Sequence, residues 1–339
     1  MTATLQPIDA DAPSDRPPIG MVVIGRNEGA RLVRCLQSCV RERAPVVYVD
    51  SGSTDGSPAA AQRLGAAVLA LDLSRAFTAA RARNEGLHEL MRQRPDTQWV
   101  QFLDGDCELV PGWVDAAGAF LAQHPDVAAV CGRRIERFPE ASIYNRLCDI
   151  EWNTPTGQTA AFGGDVLIRA RPLLAAGGYR QDLIAGEEPE LCVRLRAGGW
   201  NIWRLAVDMT LHDAAMTRWA QWWRRSVRAG HAFAEGAWLH GEPPERHFVA
   251  ETRRAVLWGA VLPAMLLLAT IAWWPAALLF LVYPAQWLRV GLNLRRQSRP
   301  IPWTLSAFYL QGRFAEAAGA MRFWWGRILR RGSALIEYK

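Results

Sequence analysis

Short apolar runs alternate with longer amphipathic segments through the first third of the chain. The segment after the first run carries apolar residues at helical spacing, as in Leu32, Leu36 and Val40. Because strands that alternate with helices pair in parallel, this pattern predicts a doubly wound α/β arrangement over residues 20–123. The predicted strands are residues 20–25, 46–49, 67–71 and 99–103, and helices are predicted at 59–64 and 78–92.

Residues 162–186 contain several glycines at predicted turns and helix ends. Residues 162–169 have the pattern of a turn that leads into a strand, and residues 173–178 that of a short helix ended by glycine. An acid-rich helix is predicted to begin near Gly186. A last strand is predicted at residues 202–205, followed by the segment 207–211.

The pattern changes again at residues 255–292, which are apolar and almost uncharged. About 38 residues are too many for one membrane span and close to two short ones at ~20 residues each. Trp273-Trp274-Pro275 supplies a break in the middle. The segment is therefore predicted to form a helical hairpin, which either spans a membrane twice, re-enters it, or is buried in a soluble core. Basic residues flank only its outer ends, which favours a cytoplasmic position for both ends.

The segments on either side of this hairpin mix aromatic residues with arginine. Residues 215–254 are predicted to form amphipathic interfacial helices, and residues 293–339 a basic, aromatic amphipathic segment. The aromatic residues are Trp219, Trp222, Trp223, Phe308, Phe314, Phe323, Trp324 and Trp325, and the basic ones include Arg224, Arg225, Arg228, Arg327, Arg330 and Arg331. Because the basic residues border the apolar segment, the sequence pI of about 9.3 indicates anionic lipid and not nucleic acid as the partner.

Length, the N-terminal segment and the cysteines each limit what kind of protein this is. The 339 residues can hold one catalytic domain and a membrane module. Residues 1–18 are rich in proline and aspartate, lack the pattern of a signal peptide and are predicted to be a disordered tail. The six cysteines are scattered without a Cys-x-x-Cys pair, which indicates reduced thiols in the cytoplasm.

Candidate chemistry begins with Asp104-Gly105-Asp106 at the end of a predicted strand. Two carboxylates one residue apart can hold Mg²⁺ or Mn²⁺ against a diphosphate, although Asp-Gly-Asp is also an ordinary turn sequence. Asp50 likewise ends a strand, where ligands bind in open parallel sheets. Ser53, Thr54 or Asp55 can instead cap the helix that follows. Residues 25–29 lack the Gly-x-Gly-x-x-Gly turn, which argues against a dinucleotide site.

A second group of acids, Glu187, Glu188 and Glu190, crowds the start of the predicted acid-rich helix. Acids stabilise a helix N-terminus by about 0.3–1 kcal/mol each, which explains their presence without any function. Beside the glycine-rich approach, one of these carboxylates can equally take a proton from an incoming hydroxyl.

Together these motifs resemble the family 2 glycosyltransferases of GT-A fold, which make bacterial polysaccharides and glycolipids. The resemblance covers residues 20–213 and places a GT-A domain at residues 19–214. It rests on five motifs in order, namely Arg26-Asn27-Glu28, Asp50 to Gly56, Asp104-Gly105-Asp106, Gly163-Gly164-Asp165 and Gly186 to Leu191 with Arg194. It implies an inverting transfer from a nucleotide sugar, which we expect to be a UDP-sugar, with Mg²⁺ or Mn²⁺ as cofactor.

The resemblance also implies roles for individual residues. It implies Glu188 as the base, although the family usually has Glu-Asp at this place, so that Glu187 or Glu190 can take the role instead. Arg83 can alternatively lie on a solvated helix face, and His212 can be structural. The implied donor contacts are Asp50, Asn27, Glu28, Ser51, Arg83 and Asp104. The implied metal ligands are Asp106, Asp104 and His212, with Asp106 favoured over Asp104. The implied acceptor residues are Gly164, Asp165, Glu187, Glu190 and Arg224.

The sequence thus predicts a transferase at the inner (cytoplasmic) membrane, with its catalytic domain facing the cytoplasm and a lipid-linked acceptor. Gln221-Trp222-Trp223-Arg224-Arg225 nearly matches the Gln-x-x-Arg-Trp motif of processive relatives but lacks the final Trp, which predicts one sugar per encounter. Two alternatives remain open, a polyprenyl-phosphate sugar synthase and a non-catalytic membrane scaffold on the same fold.

Overall fold

The computed structural model of the protein describes residues 17–75 and 77–329. The predicted tail at residues 1–18 lies almost entirely outside the described residues, and so do Arg330 and Arg331. Within the described residues, contacts divide the chain into two units. The first contains the chain up to Arg137 together with Asn153–Arg180 and Arg194–Asp213, and the second contains Phe138–Trp152, Gln181–Val193 and the chain from Ala214 onward.

The first unit is built on a sheet of nine described strands in the order β3-β2-β1-β4-β8-β6-β9-β5, with β7 paired to β9. The strands are β1 (Ile19–Gly25), β2 (Val46–Asp50), β3 (Ala67–Ala70), β4 (Trp99–Asp104), β5 (Cys107–Leu109), β6 (Val127–Glu136), β7 (Gly157–Gln158), β8 (Val166–Arg169) and β9 (Asn201–His212). Strands β1 to β4 pair in parallel, as do β6 and β9. Strand β8 is antiparallel to both neighbours.

Twelve α-helices occur among the described residues. They are α1 (Ala30–Arg41), α2 (Ser57–Arg63), α3 (Ala79–Gln93), α4 (Trp113–Gln123), α5 (Ile143–Trp152), α6 (Ala170–Ala175), α7 (Glu187–Ala197), α8 (Trp219–His240), α9 (Val249–Val256), α10 (Leu262–Ala272), α11 (Val282–Arg296) and α12 (Pro302–Ile328). The boundary between the two units falls within α7, whose acidic first turn belongs to the second unit.

The core of the first unit follows from its sequence pattern. Every residue of β2 is buried, as are five of the seven residues of β1, because strands covered on both faces need apolar side chains throughout. Helix α1 buries Leu32, Cys35, Leu36 and Cys39, which recur at helical spacing on one face. The Thr78 side chain accepts a hydrogen bond from the Arg81 backbone N–H and so caps α3.

The predicted α/β class with a largely parallel sheet is confirmed. The predicted strands in the first third of the chain correspond to β1 to β4 and end within a residue of their predicted positions. The last strand was predicted too short, because residues 201–212 form one continuous strand. The antiparallel placement of β5, β7 and β8 was not predicted, since strand periodicity does not encode direction.

In the second unit, α5, α8, α11 and α12 share an apolar core that includes Leu147, Trp222, Leu294 and Leu305. Of the aromatic residues predicted to be interfacial, Trp222 and Phe323 are buried. Trp219, Trp324 and Trp325 are exposed.

Two helices of the second unit are long and apolar enough to cross a membrane. The first runs from Val249 to Ala272 and the second from Trp274 to Arg296, and both expose most of their surface. The break falls at Trp273, within the Trp-Trp-Pro sequence where it was predicted. The first helix includes a π-helical segment at Leu257–Val261, and the second begins with a 3₁₀ segment at Trp274–Leu281.

Candidate active site

Strand register brings the first two candidate acids to one edge of the sheet. Asp50 pairs with Gly25 at the end of β1, and Asp104 pairs with Ile24 on the other side of the same strand. Because parallel strands end at a common edge, both carboxylates lie at the carboxyl edge, where open α/β sheets bind ligands.

The Asp50 side chain is buried and shapes the loop that follows it. Its carboxylate accepts hydrogen bonds from the Tyr48 hydroxyl (2.9 Å) and from the backbone N–H groups of Gly52 (3.0 Å) and Ser53 (2.9 Å). Burial raises the pKa of the Tyr48 phenol, so that it stays protonated and donates to the carboxylate. Asp50 thus organises the backbone of the loop and keeps it at the sheet edge.

Asn27, which adopts a left-handed conformation (φ 56°), ties the first motif to this loop. Its backbone N–H donates to Ser53 Oγ (2.9 Å), and its Oδ1 accepts from the Thr54 backbone N–H (2.7 Å). Ser53 and Thr54 therefore bind Asn27 and not the helix that follows. Of the three candidates for capping, Asp55 binds the start of α2, through the Ser57 backbone N–H (3.0 Å).

Two further predicted donor contacts lie at the same edge. The Glu28 carboxylate forms an ion pair with Arg31 at 2.7 Å. The Ser51 backbone N–H donates to the Gly25 carbonyl at 3.1 Å. The four residues Asn27, Glu28, Asp50 and Ser51 thus lie where β1 and β2 end.

Asp104 lies between two arginines. Its Oδ1 is 2.9 Å from Arg83 Nη2, and its Oδ2 is 3.0 Å from Arg134 Nη2. Burial raises the pKa of Asp104, but the two guanidinium groups outweigh burial and hold the pKa below its ordinary value. The Arg83 side chain is only 2% exposed, so the alternative of a solvated helix face was wrong.

Asp165 is the fully buried end of the same charge network. It accepts from Arg134 Nε (2.9 Å), the Thr210 hydroxyl (2.7 Å) and the Asp104 backbone N–H (3.2 Å). A Cβ on Gly164 would collide with the Asp104 carboxylate. Only glycine therefore lets the backbone just before β8 come this close to Asp104. The structure thus places the predicted acceptor residues Gly164 and Asp165 against Asp104.

Arg134 was missed at the sequence level, although it bridges both carboxylates. The available signal was a charged pair, Arg133-Arg134, in a strand whose first six residues are uncharged. A charge in a largely buried strand needs a partner, because an unpaired buried charge is costly. The partners of Arg134 are Asp104 and Asp165, which lie far from it in the sequence. The sequence of β6 does not identify them.

Asp106 faces His212 across paired strands. Cys107, at the start of β5, pairs with His212 of β9, which on its other side pairs with Glu136 of β6. His212 Nε2 lies 3.4 Å from Asp106 Oδ2, and its Nδ1 lies 3.4 Å from Glu136 Oε2. Burial lowers the pKa of His212, but the two carboxylates outweigh burial and raise it.

The donor set at this position fits a divalent cation. Ligand atoms of Asp106, Cys107 and His212 lie within 4.8 Å of one another. A carboxylate and an imidazole suit Mn²⁺. Glu136 beside the far ring nitrogen orients the imidazole, as carboxylates that bind metal-ligating histidines do. Burial raises the pKa of the Cys107 thiol, which keeps it protonated and unsuited to a hard cation. Both Asp104 oxygens lie within hydrogen-bond distance of arginines, whereas Asp106 faces the imidazole of His212.

The acids of α7 and Arg224 belong to the second unit. Glu187 and Glu190 are buried, whereas Glu188 is partly exposed. Glu190 Oε1 lies 3.0 Å from His240 Nε2. Arg224 lies on the exposed side of α8 and donates from Nε to the Ala220 carbonyl at 3.3 Å.

Solved structures of similar fold include two that align with most of the chain. One is the mannosyltransferase PcManGT from Pyrobaculum calidifontis, in complex with GDP-Man and Mn²⁺, at 23% identity with a TM-score of 0.62 over 94% of this chain and 92% of that one. Another is residues 1–349 of TarS from S. aureus, at 12% identity with a TM-score of 0.52 over 93% and 92% of the two chains. These likenesses show the fold.

A curated relative matches a shorter part of the chain. A TPR repeat-containing protein of Synechococcus elongatus is 29% identical over 138 residues, which make up 40% of this chain. The aligned part spans only 32% of the length of that protein.

The fold is that of GT-A glycosyltransferases. Residues 21–168 match the family model described as glycosyl transferase family 2. The resemblance found in the motifs and the prediction of an enzyme of this class are confirmed.

Replacing Arg134 by Met tests the buried charge network. The variant removes the guanidinium group that pairs with Asp165. We expect this change to lower the free energy of unfolding by about 3–5 kcal/mol, the cost of an uncompensated buried charge. The measurement is urea denaturation of both proteins. Adding Asp165→Asn should recover part of the loss. Arg92→Met, which removes an exposed ion pair with Glu89, should cost less than about 1 kcal/mol. Equal losses of unfolding free energy in Arg134→Met and Arg92→Met would contradict the inference that Arg134 compensates a buried charge.

Proposed function

We propose that the chain transfers a sugar from a nucleoside diphosphate donor to the hydroxyl of a lipid-linked acceptor, with inversion at the anomeric carbon. The observation that carries this proposal is Asp106 facing His212, whose other ring nitrogen faces Glu136. That arrangement is suited to a divalent cation at the sheet edge where Asp50 and Asp104 also lie. A bound Mg²⁺ or Mn²⁺ would stabilise the negative charge that develops on the leaving diphosphate.

The first unit supplies the contacts to the donor in this proposal. The loop organised by Asp50 and Asn27 binds the nucleoside, with Glu28 and Ser51 beside it. Arg83 and Asp104 contact the sugar diphosphate, because Arg83 is a buried cation that Asp104 holds in a fixed orientation. A preoriented cation stabilises developing charge without the cost of reorganising during the reaction.

The base in this proposal is Glu188. Glu187 and Glu190 are buried, and Glu190 is paired with His240, whereas Glu188 is the more exposed of the three. A general base must reach the proton that it removes, which favours the accessible carboxylate. Gly164 and Arg224 remain candidates for the acceptor site, whereas Asp165 is fully buried among its own partners.

The donor is best identified by direct assay. The sequence favours a UDP-sugar, while the similar mannosyltransferase of known structure was solved with GDP-Man. We expect release of nucleoside diphosphate from one member of a panel of UDP-, GDP- and dTDP-sugars, with membrane-extracted protein, Mn²⁺ and native lipid extract. Absence of metal-dependent turnover across the panel would favour the non-catalytic scaffold.

Asp106→Asn tests the metal site. Losing a ligand weakens stabilisation of the leaving diphosphate by several kcal/mol, which corresponds to a fall in kcat of about 100-fold or more. The measurement is donor turnover as a function of Mn²⁺ concentration. Asp208→Asn, at an exposed acid on the same strand as His212, is the matched control and should retain the wild-type rate. Full turnover by Asp106→Asn would rule out this ligand.

Glu188→Gln tests the base and the kind of acceptor together. Removing a general base lowers the transfer rate by about 10²–10⁴-fold, measured as product formed with the lipid acceptor under saturating donor. Glu89→Gln, at a surface acid of α3, should leave the rate unchanged. A phosphate acceptor is already ionised and needs no base, so a fully active Glu188→Gln would favour the polyprenyl-phosphate sugar synthase.

The acceptor is proposed to be lipid-linked because the second unit exposes long apolar helices. Leu268, Ile271 and Trp274 are 66%, 74% and 80% exposed, an arrangement that is costly in water and favourable in lipid. Arginines lie at both outer ends of the helix pair, which favours a position of those ends on the cytoplasmic side of the inner membrane. The proposed place of the enzyme is therefore the cytoplasmic face of that membrane, in the synthesis of cell-surface polysaccharide or glycolipid.

A double variant, Leu268→Glu with Ile271→Glu, tests membrane attachment. Each charge in the apolar helix costs about 2.5–3.5 kcal/mol in a bilayer centre, so we expect most of the protein to leave the membrane fraction in flotation with anionic vesicles. Leu73→Glu with Leu174→Glu, at exposed leucines of the first unit, is the control and should float like the wild type. Flotation of the hairpin variant at the wild-type level would contradict insertion.

A further inference from the structure

The acidic first turn of α7 is attached to α8 within the second unit. Glu190 Oε1 lies 3.0 Å from His240 Nε2, and the Glu190 side chain is only 2% exposed. An ionised carboxylate only accepts hydrogen bonds, so the imidazole donates through Nε2. Charge-assisted hydrogen bonds of this kind are short and directional, and they fix the orientation of both groups.

Gly186, just before α7, provides a second contact with α8. Its φ is 81°, a conformation that L side chains rarely adopt. A Cβ built on Gly186 would lie 3.2 Å from the Cβ of Ala232, which is buried. The Gly186 carbonyl accepts from the Glu190 backbone N–H at 3.1 Å and closes the first turn. Helix α8 therefore contacts the start of α7 at two points, about two helical turns apart.

His240 is itself held by the chain that follows α8. Its backbone carbonyl accepts from the His247 backbone N–H at 3.0 Å. The His247 ring lies 3.9 Å from the ring of Phe248, the residue before α9. Because α9 begins the first long apolar helix, His240 stands between that helix and the acidic turn.

We propose that His240 is a positioning residue for the transfer reaction. By donating to Glu190, it fixes the helical turn that carries Glu188 and so sets where the Glu188 carboxylate is presented. This inference rests on the proposed function, because it assigns His240 a part in the step that Glu188 carries out. Glu188 lies two residues before Glu190 in the same turn, so a shift of Glu190 displaces Glu188 as well.

Two variants at position 240 separate positioning from packing. His240→Ala removes the donor, whereas His240→Gln keeps an N–H group of similar reach. We expect His240→Ala to lower kcat for transfer by about 10- to 100-fold, because misplacing a reacting group by about 1 Å costs up to about 100-fold, with KM for the donor unchanged. His240→Gln should recover most of kcat. His88→Ala, at an exposed histidine of α3, is the control and should match the wild type.

Amide hydrogen exchange gives a readout that needs no turnover. We expect faster exchange over residues 187–193 in His240→Ala, and wild-type exchange in His240→Gln and His88→Ala. Wild-type exchange in His240→Ala would overturn the inference, and so would an unchanged kcat. Equal losses of kcat in both position-240 variants, with Tm lowered in both, would also overturn it in favour of packing alone. A wild-type protein inactive with every donor would refute the proposed function, while the exchange result would still decide the role of His240.

Discussion

Strand β9 pairs with β5 on one side and with β6 on the other, and this register decides what the site can do. It places His212 between Cys107 and Glu136, and therefore beside Asp106. It also places Thr210 opposite Arg134, within reach of Asp165. A slip of one residue would turn both side chains to the other face of the sheet. Register is thus the constraint on which the candidate metal ligands and the buried charge network both depend.

Charge balance explains how so many acids can share this sheet edge. The four acids Asp104, Asp106, Glu136 and Asp165 are paired with three basic side chains, Arg83, Arg134 and His212. The arginines keep the pKa of Asp104 low, and the acids keep the pKa of His212 raised. A divalent cation at Asp106 would compete with protonation of His212, since ligating imidazole is neutral.

Local sequence predicted the part of the site that depends on strand ends. Asp50 and Asp104 follow apolar runs, and parallel pairing brings such ends together, so their common edge could be anticipated. Arg134 and Glu136 could not, because their partners are decided by β6 pairing with β8 and β9, far apart in sequence. The same holds for Glu190 and His240, which are 50 residues apart. The role of Arg83 was uncertain from the sequence, because helical periodicity does not show which polar side chain of a helix has a buried partner.

The proposed function depends on Asp106 and His212 binding a divalent cation that carries the donor diphosphate. Mn²⁺ titration followed by electron paramagnetic resonance, with UDP or GDP present, tests this binding in the wild type and in His212→Gln. We expect one bound Mn²⁺ in the wild type and at least about tenfold weaker binding in the variant, in line with the loss of a ligand or its orienting partner. Equal Mn²⁺ affinity in both proteins, or no binding by the wild type, would contradict it.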